Sequence, residues 1–280
     1  MTGLHLALGA MLLFGLGDLV YKRGAAAGAP AHQFLMVQTW FFLPTVIAYA
    51  LLSGSWHFTP AALWGALAGL FILAGFYNFA ASLRSGSISI NAPIFRLSLV
   101  VTAGLAIAVL GEPLTASKLA GIALALVASW LLLGGPRAGQ LESRESLARV
   151  CVAMLAVGIG NFLYGLGLRG GATPGSLMVA QAGVVCPLAT LFAAALDRRI
   201  APARAALRTA PLAAVALALA SVCMVESMAR GEASIAVPIA QMGFVVTAVL
   251  GFVFLREAFT WRKAGGIVAA VAALAFLAVA

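Results

Sequence analysis

Ten stretches of about twenty apolar residues follow one another along the chain, and no other feature restricts its fold as severely. Each is long enough, at about 1.5 Å per residue, to cross a hydrocarbon layer about 30 Å thick as a helix. Their approximate limits are 3–22, 32–53, 61–83, 90–110, 115–134, 149–168, 175–196, 209–229, 234–255 and 262–280. Strand barrels instead need segments of about ten residues with alternating polarity, and no such alternation occurs here. Composition agrees: 63% of the 280 residues are hydrophobic and 9% are charged, against about 25% charged in a soluble domain. The expected fold is an all-α integral membrane protein with ten transmembrane helices. The first run reads as a span, not a signal peptide, because no basic residue precedes it and nine spans follow.

A formal net charge of +9 would suggest a nucleic-acid partner in a soluble protein. Here the cations sit in short loops, where they meet anionic lipid and set topology, so no nucleic acid is expected. Alternating the loops between two sides puts thirteen Lys and Arg residues on the side that follows spans 1, 3, 5, 7 and 9. The other side receives three, Lys118, Arg169 and Arg230, while Arg96 lies within a span. The richer side is predicted to be cytoplasmic. Both termini then face the outer side of a multi-pass inner (plasma) membrane protein.

Little in the chain suits an enzyme. Cys151, Cys186 and Cys223 lie inside apolar runs without metal-ligand spacing and are expected to be free, buried thiols. His5, His32 and His57 fall near span ends, and no zinc-protease, nucleophile-elbow or phosphate-loop motif occurs. Neither catalysis nor a metal or other cofactor is expected.

The chain is one half written twice. GLGDLVY begins at residue 15 and GIGNFLY at residue 158, an offset of 143 that continues without a gap to Gln38 over Gln181 and Pro44 over Pro187. SGSISINAPIFRLSLVVTA begins at 85 and RGEASIAVPIAQMGFVVTA at 230, an offset of 145 that carries Glu112, Thr115 and Lys118 onto Glu257, Thr260 and Lys263. Five spans per half is an odd number, so spans 1 and 6 must cross in opposite directions and the repeat is inverted. The expected division is a first five-helix repeat over 1–134, a polar linker over 135–148 and a second repeat over 149–280. Inverted halves characteristically build secondary transporters, with the substrate near the midplane between them.

Ser89 to Pro93 and Ser234 to Pro238 open spans 4 and 9, and Leu110-Gly111-Glu112 and Leu255-Arg256-Glu257 close them. With five plus five helices, this pattern resembles the drug/metabolite transporter superfamily, EamA-type branch, over the whole chain. The resemblance implies that spans 1, 3, 4, 6, 8 and 9 surround a central cavity and that spans 5 and 10 pack outside. It also implies export of amino acids, drugs or other metabolites. Asp18 and Arg96 are not part of the motif that carries it.

Within that frame the densest aromatic and polar group is Tyr77 and Asn78 late in span 3 with Phe95 and Arg96 in span 4. Aromatic faces and a guanidinium would suit a small amphipathic or zwitterionic molecule, with Arg96 binding a carboxylate. Packing of the aromatics and snorkelling of Arg96 are the alternatives. The second-half equivalents are Val222, Cys223, Ala240 and Gln241, so a cavity lined by both halves is chemically lopsided, with Gln241 its polar member. Tyr164 shares a repeat position with Tyr21, and both are candidates to line the seam of spans 1 and 6. Asp18 and Glu226 are the acids placed for gating or proton coupling. Asp18 has Lys22 and Arg96 as candidate partners, and Glu226 has Arg230 four residues on.

Pro93 and Pro238 would free the carbonyls of Ser89 and Ser234 and make hinges, or else sit harmlessly in a first helical turn. Gln38 and Gln181 are buried amides, expected to bond between helices or to line the cavity. Glu112 and Glu257 read as loop and cap electrostatics beside the N-caps Thr115 and Thr260. Trp56, Trp64 and Trp261 read as interfacial anchors.

The function expected is secondary active transport, in the export direction, of a small organic metabolite by alternating access, with a coupling proton admitted. The alternative is a flippase or intramembrane enzyme acting on a phosphorylated lipid carrier. The partners are a small-molecule substrate and the bilayer, and the chain is expected to work as a monomer or homodimer.

Overall fold

Twelve helices make up the ten spans in the computed structural model, which describes residues 2–83, 88–133, 143–255 and 260–280. Spans 1 to 3 are α1 (Gly3–Ala26), α2 (Ala31–Leu52) and α3 (Leu63–Ser82). Span 4 is α4 (Ile88–Arg96) with α5 (Ser98–Leu110), and span 5 is α6 (Ala116–Leu133). Spans 6 to 8 are α7 (Arg144–Arg169), α8 (Pro174–Asp197) and α9 (Arg204–Ala229). Span 9 is α10 (Ala233–Gln241) with α11 (Gly243–Leu255), and span 10 is α12 (Trp261–Ala278). All ten are long and apolar enough to cross a membrane.

Helices α7 and α9 start five residues earlier than apolarity alone suggested, at Arg144 and Arg204. Helix α7 begins at Arg144, where the Ser143 side chain accepts the N–H of Ser146 at 3.0 Å, so the end of the expected linker is a capped helical turn. Residues 135–142 of that linker lie outside the described residues, as do Arg84 and the Arg256-Glu257 pair. Thr115 and Thr260 cap α6 and α12 by accepting the N–H groups of Lys118 (3.2 Å) and Lys263 (3.3 Å).

The two prolines of the repeat do not sit in first turns. Pro93 and Pro238 lie inside α4 and α10, and both spans break four residues later, at Leu97 and Met242. At the break the chain tightens: Leu97 N–H bonds the Ile94 carbonyl (3.0 Å) and Met242 N–H bonds that of Ile239 (3.1 Å). A short three-residue turn of this kind interrupts the α ladder in the middle of a span.

Eight spans close into a ring. Going round, α1 packs on α9, α9 on α2, α2 on α8, α8 on α3, α3 on α7, α7 on α5, α5 on α10, and α10 with α11 back on α1. Exchanging the two halves maps this ring onto itself, as an inverted repeat requires. Helices α6 and α12 pack on each other outside it, in keeping with the expectation for spans 5 and 10. Spans 2 and 7, which the resemblance leaves out of the wall, complete the ring.

Close approach explains two of the repeated glycines. A Cβ on Gly15 would lie 2.5 Å from Cβ of Val246 and 2.7 Å from the Gly243 carbonyl, and one on Gly158 would lie 2.5 Å from Val101 Cβ and 2.9 Å from the Ser98 carbonyl. Backbones therefore touch where α1 crosses α11 and where α7 crosses α5, the small-residue contact that membrane helices favour. Thr247 Oγ1 donates to the Gly15 carbonyl (3.1 Å) and Thr102 Oγ1 to that of Gly158 (2.9 Å), the same bond made twice.

Side chains such as Leu191, Leu212, Val253 and Val268 point outward and form the apolar belt. Trp56, Trp64 and Trp261 are exposed near span ends. The three cysteines are free, but Cys151 is exposed where burial was expected: it lies on the outward side of α7, beside exposed Val152 and Leu155. Apolar sequence marks a residue as lipid-compatible and does not say whether it faces lipid or protein.

Candidate functional site

The two membrane faces are named here by their loops: the basic face carries the connections after spans 1, 3, 5, 7 and 9, and the opposite face carries the others. Near the basic face, Asp18 of α1 and Arg96 at the end of α4 meet, with Nη2 3.6 Å from Oδ2. Thr247 Oγ1 also approaches Asp18 (3.4 Å). Arg96 lies 5.4 Å above the Phe244 ring and donates to the Gln241 carbonyl at 3.4 Å. It therefore spends its charge across the ring on α1, α10 and α11. Gln241 is buried and accepts from Ser98 Oγ (3.2 Å), while its Nε2 has no partner. Asp18, Arg96 and Gln241 thus form one polar junction between the halves. The Lys22 side chain, the other expected partner of Asp18, is outside the described residues.

The aromatic group divides. Phe95 is buried, stacked on Phe79 (ring centroids 4.3 Å) and packed with Val150, Ala153 and Val157, so it is wall. Tyr77 meets Phe192 edge-on at 5.3 Å, and with Phe76 it presents the exposed aromatic surface. Asn78 donates to its own helix at Ala74 (2.9 Å).

Further in, α2, α3, α8 and α9 enclose a cavity of about 50 Å³ lined by Gln38, Phe42, Ile72, Phe76, Gln181 and Leu217 among others. Drug-sized ligands occupy about 300 Å³ or more, so the cavity holds a fragment of such a molecule, not the whole. Both glutamines line it, yet they differ. Gln181 Oε1 accepts from the Tyr164 hydroxyl at 2.5 Å, whereas Gln38 Oε1 is buried without a partner.

At the opposite face the halves are stitched together. Glu226 pairs with Arg230 (2.8 Å), as the spacing suggested, and also accepts from the Tyr49 hydroxyl of α2. Glu112 accepts the N–H groups of Ala233 (2.9 Å) and Ser234 (2.8 Å), capping α10 of the other half rather than its own neighbour α6. Lys118, fully buried, pairs with Glu232 and donates to the Pro113 carbonyl (2.6 Å). Ser234 and Pro238 are both buried in α10; the Ser89 side chain is outside the described residues. Tyr49, Glu232, Thr102 and Thr247 were not singled out from sequence, and Lys118 was noted only as a loop cation and a repeat position. The threonines had a signal, their shared place in the VVTA match. The others are joined only by packing.

Three pairs of equivalent positions in the two halves differ in exposure. Tyr21 is 36% exposed and Tyr164 1%; Phe76 and Tyr77 are each 43% exposed, while Ser221 and Val222 are 9% and 5%. At each of these positions the first-half residue, which lies towards the basic face, is the more exposed.

No curated protein matches the chain. A solved structure described only as the crystal structure of a protein superposes with a TM-score of 0.82 at 16% identity, covering 99% of this chain and 98% of that one. The model of the EamA-like transporter family matches residues 1–134 and again residues 146–279. Matched in each half over nearly its full length, this multi-pass membrane protein belongs to the EamA-like transporter family.

Proposed function

We propose that the chain is a secondary active transporter that exports a small organic metabolite, such as an amino acid or an amphipathic drug-like compound, by alternating access. The observation that carries this reading is the exposure contrast between Tyr21, Phe76 and Tyr77 and their counterparts Tyr164, Ser221 and Val222. One half of an inverted pair stands open while the other stands closed, and exchanging their conformations would move the opening to the other face. The excess of Lys and Arg supports a cytoplasmic basic face and external termini, and in that orientation this state loads from the cytoplasm.

In this reading Tyr77 and the edge of Phe76 receive the apolar part of the substrate, and Arg96, with Gln241 beside it, binds a carboxylate in exchange for Asp18. Asp18 then acts as the inner-gate acid and takes up the coupling proton, and Glu226, held by Tyr49 and Arg230, closes the outer gate. The breaks at Leu97 and Met242, set by Pro93 and Pro238, are the hinges.

Purified protein in proteoliposomes, screened for counterflow of amino acids, nucleosides, sugars and organic cations, tests the function. Flux above protein-free vesicles for one class is expected, and it should lose its pH dependence in Asp18→Asn. Flux at the protein-free level for every class would overturn the reading.

A further inference from the structure

Tyr21 and Gln38 in the first half stand at the repeat positions of Tyr164 and Gln181 in the second. The second pair is joined, hydroxyl to amide oxygen at 2.5 Å, with the tyrosine almost wholly buried. The first pair is not joined. The Tyr21 ring lies on Phe34 at 4.5 Å, partly exposed, and Phe34 precedes Gln38 by one helical turn on α2. Gln38 Oε1 is left buried with no partner. In a membrane interior an acceptor in that position is costly unless another state, or a ligand, supplies a donor.

We infer that the two tyrosine–glutamine pairs are alternate latches of one cycle: Tyr164–Gln181 holds the state open to the basic face, and Tyr21–Gln38 forms in the state open to the opposite face. This rests on the alternating-access reading and adds the residues that set its balance. When the halves exchange conformations, the first half takes up the geometry the second has now. Tyr21 then moves about one turn, roughly 5 Å, off Phe34 and onto the orphaned oxygen of Gln38, and Tyr164 leaves Gln181. One hydrogen bond is made and one is broken, so the donors and acceptors balance across the exchange and neither state is favoured by this contact alone. The cavity lined by both amides lies between the latches, where a substrate fragment senses whichever oxygen is uncapped.

The test needs no substrate. Val222 is sealed in the present state, so Val222→Cys, in a full-length chain whose Cys151, Cys186 and Cys223 are replaced by alanine, reports opening of the opposite face. A membrane-impermeant maleimide is applied from that side of proteoliposomes. Tyr164→Phe removes the latch of the closed state and should raise the labelling rate about five-fold, the equivalent of one net hydrogen bond. Tyr21→Phe should lower it by a similar factor, and the double variant should return close to the parent rate. Gln38→Leu should also lower it, which keeps the test alive if Tyr164→Phe does not fold.

Changes of the same sign for Tyr21→Phe and Tyr164→Phe, or no change in either, would overturn the latch proposal, because a purely structural role does not reverse sign between repeats. Transport with unresponsive labelling would remove the latches and leave the transporter reading intact. Labelling that reverses as expected in protein that carries nothing would do the opposite.

Discussion

Tyr21, Phe76 and Tyr77 on the basic-face side and Tyr164, Ser221 and Val222 on the opposite side occupy matching places in two copies of one sequence, yet only the first group meets solvent or lipid. Gln38 and Gln181 differ in the same sense, the first uncapped and the second capped. At the Tyr21–Tyr164 and Gln38–Gln181 positions local sequence does not set the difference, since the residues are the same in both halves. It comes from what each half leans on. The opposite face has Glu112 on α10, Lys118 on Glu232 and Tyr49 on Glu226, three contacts that tie the halves together at that end of the ring. In the alternating-access reading, such asymmetric contacts store the state of a molecule built from two inverted copies.

The largest effect should follow from breaking the closed end. Glu112→Ala strands the N–H groups of Ala233 and Ser234 and removes an acid from a helix N-terminus, a loss of about 3 kcal/mol in two charge-assisted bonds. Thermal unfolding in detergent should show it, with Glu145→Ala, which breaks an exposed pair with Arg149, as an almost silent control. If both behave alike, the seal is not where the contacts place it.

Next come the crossings that both halves share. Gly15→Ala and Gly158→Ala should each cost about 2 kcal/mol through overpacking, while Gly17→Ala, with nothing within 4 Å of its added carbon, should be neutral or slightly stabilising. Unequal costs at Gly15 and Gly158 would show that the crossings, too, differ between the open and closed sides. Tyr49→Phe, which takes a donor from Glu226, should cost about 1 kcal/mol, read as a smaller melting shift. Smallest in stability is Tyr77→Ala at the open side: a change below about 0.5 kcal/mol, but with weakened apparent affinity in the counterflow assay. A large stability loss there would mean that the exposed ring is structural.

Ten spans and the inverted repeat were legible in sequence, because each follows from periodic apolarity or from an offset that can be counted; the proline-linked breaks were only half legible, since a hinge was one of two readings and was placed at the carbonyls of Ser89 and Ser234 rather than at Leu97 and Met242. The ring order was not, and spans 2 and 7 entered the wall unannounced, because apolar helices carry little record of which neighbour they face. Asp18 with Arg96 and Glu226 with Arg230 were readable from depth and spacing. Glu112 was recognised as a cap but assigned to its sequence neighbour α6, whereas the N-terminus it serves belongs to the other half. Lys118 was read only as a loop cation and a repeat position because a lysine near a span end ordinarily reaches for headgroups, whereas here it is buried against Glu232 and the Pro113 carbonyl.

The threonines at the two crossings give the joint an unusual mechanical property. Thr102 Oγ1 has the Gly158 carbonyl at 2.9 Å and that of Ser98, in its own helix, at 3.1 Å. Thr247 likewise has Gly15 at 3.1 Å and Gly243 at 3.2 Å. Each hydroxyl can therefore release the facing helix and fall back on its own, so the contact can slip without leaving a bare donor in a medium that has no water to offer. In the alternating-access reading, this keeps friction between the halves low at the two points where their backbones touch.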